Sequence, residues 1–79
     1  MATKTQASVH TAQTLMRELL DAAREFEKLF SRLARTDPES GKYFDLLGDI
    51  WASAELIETK AGSCKEVADE LMGAFPDDD

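Results

Sequence analysis

The sequence predicts an all-α fold: a long antiparallel αα-hairpin with helices over about residues 9-35 and 38-61, followed by a short third helix over about 64-73. Two such chains are expected to pair into a four-helix-bundle-like homodimer. Three observations carry this reading. Apolar residues recur in alternating steps of three and four along both long segments, the run Thr36-Asp37-Pro38-Glu39 separates them, and the apolar stripes are too wide for one hairpin to shield.

In the first segment Val9, Ala12, Met16, Leu19, Ala23, Phe26, Phe30 and Leu33 mark one row. Leu15, Ala22 and Leu29 widen it on one flank, while the positions opposite, from His10 to Arg35, are polar. A stripe of this width suits a globular bundle better than a two-stranded coiled coil. Ser8 is placed to cap the helix by accepting a hydrogen bond from an exposed backbone N–H. Pro38 then suits the first residue of a second helix, with Asp37 as its cap. The inward row of that helix reads Tyr43, Leu47, Ile50, Ala54, Ile57 and Ala61, flanked by Phe44 and Trp51. So short a connection makes the helices antiparallel neighbours. Gly62 reads as the stop, and Ser63 with Glu66 has the spacing of a capping box that opens a third helix containing Val67, Ala68, Leu71 and Met72, with Gly73 at its end. Residues 1-7 are expected to be a disordered amino-terminal segment, 8-75 a single helical domain, and 76-79 an acidic tail.

A chain of 79 residues buries only about 60% of the surface its unfolded form exposes, so it needs reinforcement. Cys64 is the one cysteine, which excludes a disulfide framework and suits a reducing cytoplasm. With no apolar run near the ~20 residues that span a bilayer and no signal-peptide core, a cytoplasmic location away from membranes is expected. Self-association or a partner is left as the source of reinforcement.

The net charge of -7 is unevenly placed. Residues 1-36 hold six basic side chains and four acids, whereas residues 37-79 hold three lysines and twelve acids. An acidic surface repels phosphate backbones and anionic lipids, so the expected partner is a larger protein with a basic or mixed surface, with no direct binding of nucleic acid.

Candidate chemistry is sparse. Nucleophilic catalysis needs a base beside the nucleophile, and His10, the one histidine, is expected at the surface near the amino terminus. Glu58 borders the inward row of the second helix, where a solvated or salt-bridged glutamate is the ordinary outcome and no Glu-x-x-His motif supports a metal. Cys64 would sit in the first turn of the third helix, where the helix dipole can activate a thiol, yet a lone cysteine more often serves as a small apolar residue. No catalytic, cofactor or metal site is predicted, and Gly41, Gly48, Gly62 and Gly73 do not form a phosphate loop.

Two surfaces stand out instead. On a helical wheel Leu56 points away from the inward row, alongside Asp45, Asp49 and Ala52, as an apolar anchor ringed by acids. Either the third helix folds over Leu56, or it is an ordinary exposed leucine, or it docks a basic partner. Trp51, with Phe44, belongs to the core or dimer seam, unless it faces solvent, in which case it becomes a second partner-binding candidate. The core or dimer seam is expected to include Met16, Leu19, Phe26, Phe30, Leu47, Ile50 and Ile57.

These features point to a non-enzymatic protein-interaction module, a regulator or inhibitor that binds and occludes a larger protein. Accessory proteins of phages or mobile elements, including inhibitors of host defence systems, share this general form, an argument from architecture alone. The alternatives are an acidic mimic of nucleic acid that blocks a DNA- or RNA-binding protein, and a structural or chaperone-like dimer.

Overall fold

The computed structural model describes residues 8–74, and these form an antiparallel pair of helices, α1 (Val9–Ala34) and α2 (Gly41–Ala74). The start of α1 is capped as its sequence predicts: Ser8 Oγ accepts from the Thr11 backbone N–H at 3.0 Å, and Ser8 O accepts from Ala12 N–H at 2.9 Å. At the other end Arg35 N–H donates to Arg32 O at 3.1 Å, and the Thr36 hydroxyl donates to the same carbonyl at 2.7 Å. These bonds satisfy a carbonyl that the helix end would leave open.

The connection differs from the expected one. Asp37 does not cap a helix beginning at residue 38; residues 37–40 form a turn that precedes α2. Asp37 O accepts from Ser40 N–H at 3.0 Å and from the Ser40 hydroxyl at 2.8 Å, while Asp37 Oδ1 accepts from Glu39 N–H at 3.0 Å. Aspartate followed by proline is a favourable pair for the first two positions of a β-turn, and here that local preference wins over helix initiation. Ser40 then serves α2 in the capping role, its Oγ accepting from Tyr43 N–H at 3.3 Å.

A second correction concerns the far end. The second helix does not stop at residue 61, and no separate third helix follows it: α2 runs unbroken for 34 residues through Gly62 and the Ser63–Glu66 spacing. Gly62 has no positive φ, so it does not adopt the left-handed geometry of a helix-terminating glycine. A helical glycine costs about 1 kcal/mol relative to alanine, less than the packing gained by continuing. That packing is visible in Val67, which is buried, and in Cys64, which is half-buried and reaches Leu15 of α1. The expected disordered segment 1-7 and acidic tail 76-79 lie outside the described residues.

The seam between the helices is continuous. From α1 it takes Ala12, Leu15, Leu19, Ala22, Phe26, Leu29 and Leu33; from α2 it takes Tyr43, Leu46, Ile50, Ser53, Ile57, Lys60, Cys64, Val67 and Leu71. All are buried or half-buried, in strict alternation of three and four. The inward row of α2 is thus Leu46, Ser53 and Lys60 where the sequence suggested Leu47, Ala54 and Ala61. Leu46 is 3% exposed and Leu47 39%.

Gly62 lies on the side of α2 away from α1, and a Cβ added there would meet nothing within 4 Å. Gly62→Ala is therefore expected to raise stability by about 0.5–1 kcal/mol in urea unfolding at fixed protein concentration. Destabilisation instead would show that the chain needs glycine geometry at that point.

Candidate interaction surfaces

Once the seam is known, helical periodicity assigns every other side chain to a face. In α1 the row Val9, Met16, Ala23 and Phe30 lies roughly 80° around the helix from the seam, with Leu20 one row further. In α2 the row Leu47, Ala54, Ala61 and Ala68 lies roughly 80° from its seam in the same rotational sense, with Phe44, Trp51 and Met72 one row further. Both helices are right-handed and run in opposite directions, so rotation in the same sense carries both flanks to the same broad face of the hairpin. The result is one apolar face.

Its large members are exposed: Val9, Met16, Leu20 and Phe30 from α1, and Phe44, Leu47, Trp51 and Met72 from α2. Trp51 is 69% exposed. Near the loop the face is bulky, with Phe44 set edge-on to Tyr43 at a ring-centroid distance of 6.4 Å. Towards the centre and far end of α2 it is lined by Ala54, Ala61 and Ala68. The face runs about 33 Å along the helices and about 20 Å across them, roughly 650 Å². Gln13, Glu27, Glu58 and Lys65 stand along its rims, so its apolar part is comparable with the ~300–600 Å² of the largest apolar patch on a typical monomer.

The opposite broad face is polar. From α1 it presents Thr11, Glu18, Glu25 and Arg32, and from α2 Asp49, Leu56, Ser63 and Glu70, with Asp45, Ala52 and Glu66 one row outward. Across this side Lys60 Nζ meets Glu18 Oε1 at 2.8 Å, tying the helices together and fixing their register. The lysine's alkyl stem occupies a seam position while its ammonium reaches the rim, which is how a polar residue is accommodated there. Cys64 Sγ donates to Leu15 O at 3.4 Å. This places Leu15 level with Cys64 and Glu18 level with Lys60.

The residues singled out from sequence therefore divide. Asp45, Asp49, Ala52 and Leu56 share the polar side, and Leu56 is 47% exposed with no helix folded over it. Trp51 is on the apolar face, roughly 150° away around α2, so the five do not form one patch. Of the expected seam residues, Leu19, Phe26, Ile50 and Ile57 lie between the two helices, while Met16, Phe30 and Leu47 lie on the open apolar face. Sequence reasoning missed that Val9, Leu20, Ala54, Ala61, Ala68 and Met72 belong to that face too. The signal was present in the second apolar row of each helix.

His10 is exposed on the outer side of α1, whereas Cys64 turns into the seam, so the imidazole is not beside the thiol. Cys64 lies in the interior of α2, far from any helix start, which removes the electrostatic argument for an activated thiol. Glu58 is exposed on the rim of the apolar face. Among the described residues no three His, Cys, Asp or Glu side chains gather as metal ligands, and no helix is long and apolar enough to cross a membrane. No family model, curated protein or solved structure matches this chain.

The Lys60–Glu18 pair is partly solvated, with side chains 31% and 44% exposed. A double-mutant cycle with Lys60→Ala and Glu18→Ala is expected to give a coupling of at most about 1 kcal/mol that shrinks in 1 M salt. A coupling well above that, unchanged by salt, would show that the pair is far more desolvated than its exposure implies.

Proposed function

We propose that this chain is a non-enzymatic protein-interaction module that works as a homodimer and acts as a regulator or inhibitor, binding and occluding a larger protein. The observation that carries the reading is the broad apolar face. Exposed side chains such as Phe30, Phe44, Leu47 and Trp51, concentrated on one side of a hairpin, are the usual mark of a protein contact. Self-association of that face would leave the acid-bordered side of α2 outward. There Leu56 shares a row with Asp49, two turns away, with Ala52 one turn away and Asp45 further along, an apolar anchor for a partner whose surrounding surface is basic or mixed. Accessory proteins of phages or mobile elements, including inhibitors of host defence systems, act in this occluding manner, and that is the biological setting we favour.

The arrangement of charge does not favour mimicry of nucleic acid. The acids of α2 fall on several sides of the helix: Asp45, Asp49, Glu66 and Glu70 on the polar face, Glu55 and Asp69 outward, and Glu58 on the apolar rim. A phosphate track is a continuous line of closely spaced charge, which these do not make.

The test is affinity capture from the native host extract with wild type and Leu56→Asp in parallel, at about 0.1 M and 0.5 M salt. The expected outcome is a protein held by wild type at both salt concentrations and lost with Leu56→Asp, while the variant keeps its helical circular dichroism and its self-association. Equal capture by both forms would remove Leu56 from the docking surface. Capture that disappears from wild type at the higher salt would return the reading to charge mimicry.

A further inference from the structure

We infer that the apolar face is covered by a second copy of this chain, related by a two-fold axis that crosses the hairpin at the level of Leu20 and Glu58, so that the connecting loops lie at opposite ends of a four-helix bundle. The inference rests on the self-association reading above and adds to it the position of the axis and the relative orientation of the two copies.

The first support is area. A face of roughly 650 Å² on each copy gives about 1,300 Å² buried in total, within the ~1,200–2,000 Å² of stable specific interfaces. The second is need. Among the described residues the hydrophobic core of the hairpin is Ala12, Ala22, Leu29, Leu46 and Val67, and no large side chain is fully buried. So thin a core does not ordinarily sustain a helical domain of this size alone.

Orientation follows from side-chain volume. Two face-to-face hairpins have two symmetric choices. With the loops at the same end, α1 of one copy faces α2 of the other and each layer meets its own level. Phe30 and Leu47 then meet Phe30 and Leu47, an overfilled layer, while Ala23 and Ala54 meet Ala23 and Ala54, an empty one. With the loops at opposite ends each helix faces its own copy, and Phe30 and Leu47 no longer stack on themselves. Phe30 then opposes Val9, Met16 opposes Ala23, Leu47 opposes Ala68, Ala54 opposes Ala61, and Phe44 opposes Met72. Bulk is spread more evenly than in the same-end arrangement, with Ala54 against Ala61 as the thinnest pair, and evenness favours a close-packed core.

The register within the hairpin supports the same axis independently. The α1 row from Val9 to Phe30 is centred at Leu20, and the α2 row from Leu47 to Ala68 is centred next to Glu58. The 2.8 Å Lys60–Glu18 pair and the 3.4 Å Cys64–Leu15 contact place those two centres level with one another, so a single axis serves both helices. The same axis sets Lys65 over the exposed ring of Trp51, a favourable cation–π geometry. It also brings Glu58 towards its own copy, at the outer rim where water screens the charges.

The experiment is oxidative cross-linking of the full chain in a Cys64→Ala background, alongside sedimentation equilibrium of wild type. The opposite-ends arrangement brings the two Leu20 positions within the ~4.4–6.8 Å Cα separation that a disulfide spans. Leu20→Cys is therefore expected to form a covalent dimer nearly quantitatively, and a mixture of Leu20→Cys with Glu58→Cys to form no mixed dimer. Cross-linking only in the mixture would establish the same-end arrangement and overturn this inference while leaving self-association intact. A dimer in which neither forms would overturn it as well. A wild-type chain that stays monomeric at all concentrations would overturn both readings and assign the face to a different protein.

Discussion

The contact between the Ala12-to-Leu33 row of α1 and the Tyr43-to-Leu71 row of α2 sets the direction of every other side chain in the molecule. Small residues at Ala12 and Ala22 let the helices close on one another, and the unbroken alternation of three and four keeps the contact in register along α1's full length. Once that seam is made, nothing about the remaining surface is free to vary. The second apolar row of each helix turns to one broad face, and the charged residues are left to the other face, the outer edges and the rims. Continuity of α2 through Gly62 belongs to the same constraint, because the seam resumes with Cys64, Val67 and Leu71 on the far side of the glycine. Local preferences gave way wherever the seam required it.

Much of this was legible in the sequence. The two periodic segments, their antiparallel pairing and the cap at Ser8 follow from spacing and from capping chemistry with no knowledge of tertiary structure. The misreadings share one origin, which is that local signals were weighed without the partner helix. Gly62 followed by Ser63 and Glu66 has the local grammar of a stop and a start, and only the burial of Val67 against α1 shows that the chain ignores it. Reading α2 as ending at residue 61 also hid the correct row. Up to that point Leu47, Ala54 and Ala61 look more apolar than Leu46, Ser53 and Lys60, and the preference for the latter appears only when the pattern is extended to Val67 and when Lys60 is seen to reach Glu18.

The interaction surfaces were legible in kind but not in arrangement. Stripes too wide for one seam implied that apolar surface would be left over, and it is. Where it lies depends on handedness and on which of two adjacent rows is taken into the hairpin, a choice separated by a single residue and a rotation of roughly 50° on average about each helix. An error of that size moves Trp51 between a core flank and the open face, whereas its separation of roughly 150° from Leu56 follows from helical spacing alone. The polar side was more robust, since Asp45, Asp49, Ala52 and Leu56 stay together whichever row faces α1.

The proposed dimer would couple folding to association. Among the described residues the closed hairpin buries only two alanines, two leucines and a valine, while larger apolar side chains, Phe30, Phe44, Leu47 and Trp51 among them, would contribute further only if a second surface covered them. In the proposed dimer stability would depend on concentration, and the pair of chains rather than the single chain would be the unit that presents the acid-bordered side of α2 to other molecules. Two-fold symmetry would present that side twice, on opposite flanks of one rod, so a target with two suitably spaced basic surfaces would be held with an effective concentration that one hairpin cannot supply. The two faces would thereby separate two tasks: association of two copies over a broad apolar area, and docking of a partner on the Leu56 anchor, which nearby acids steer without supplying most of the affinity.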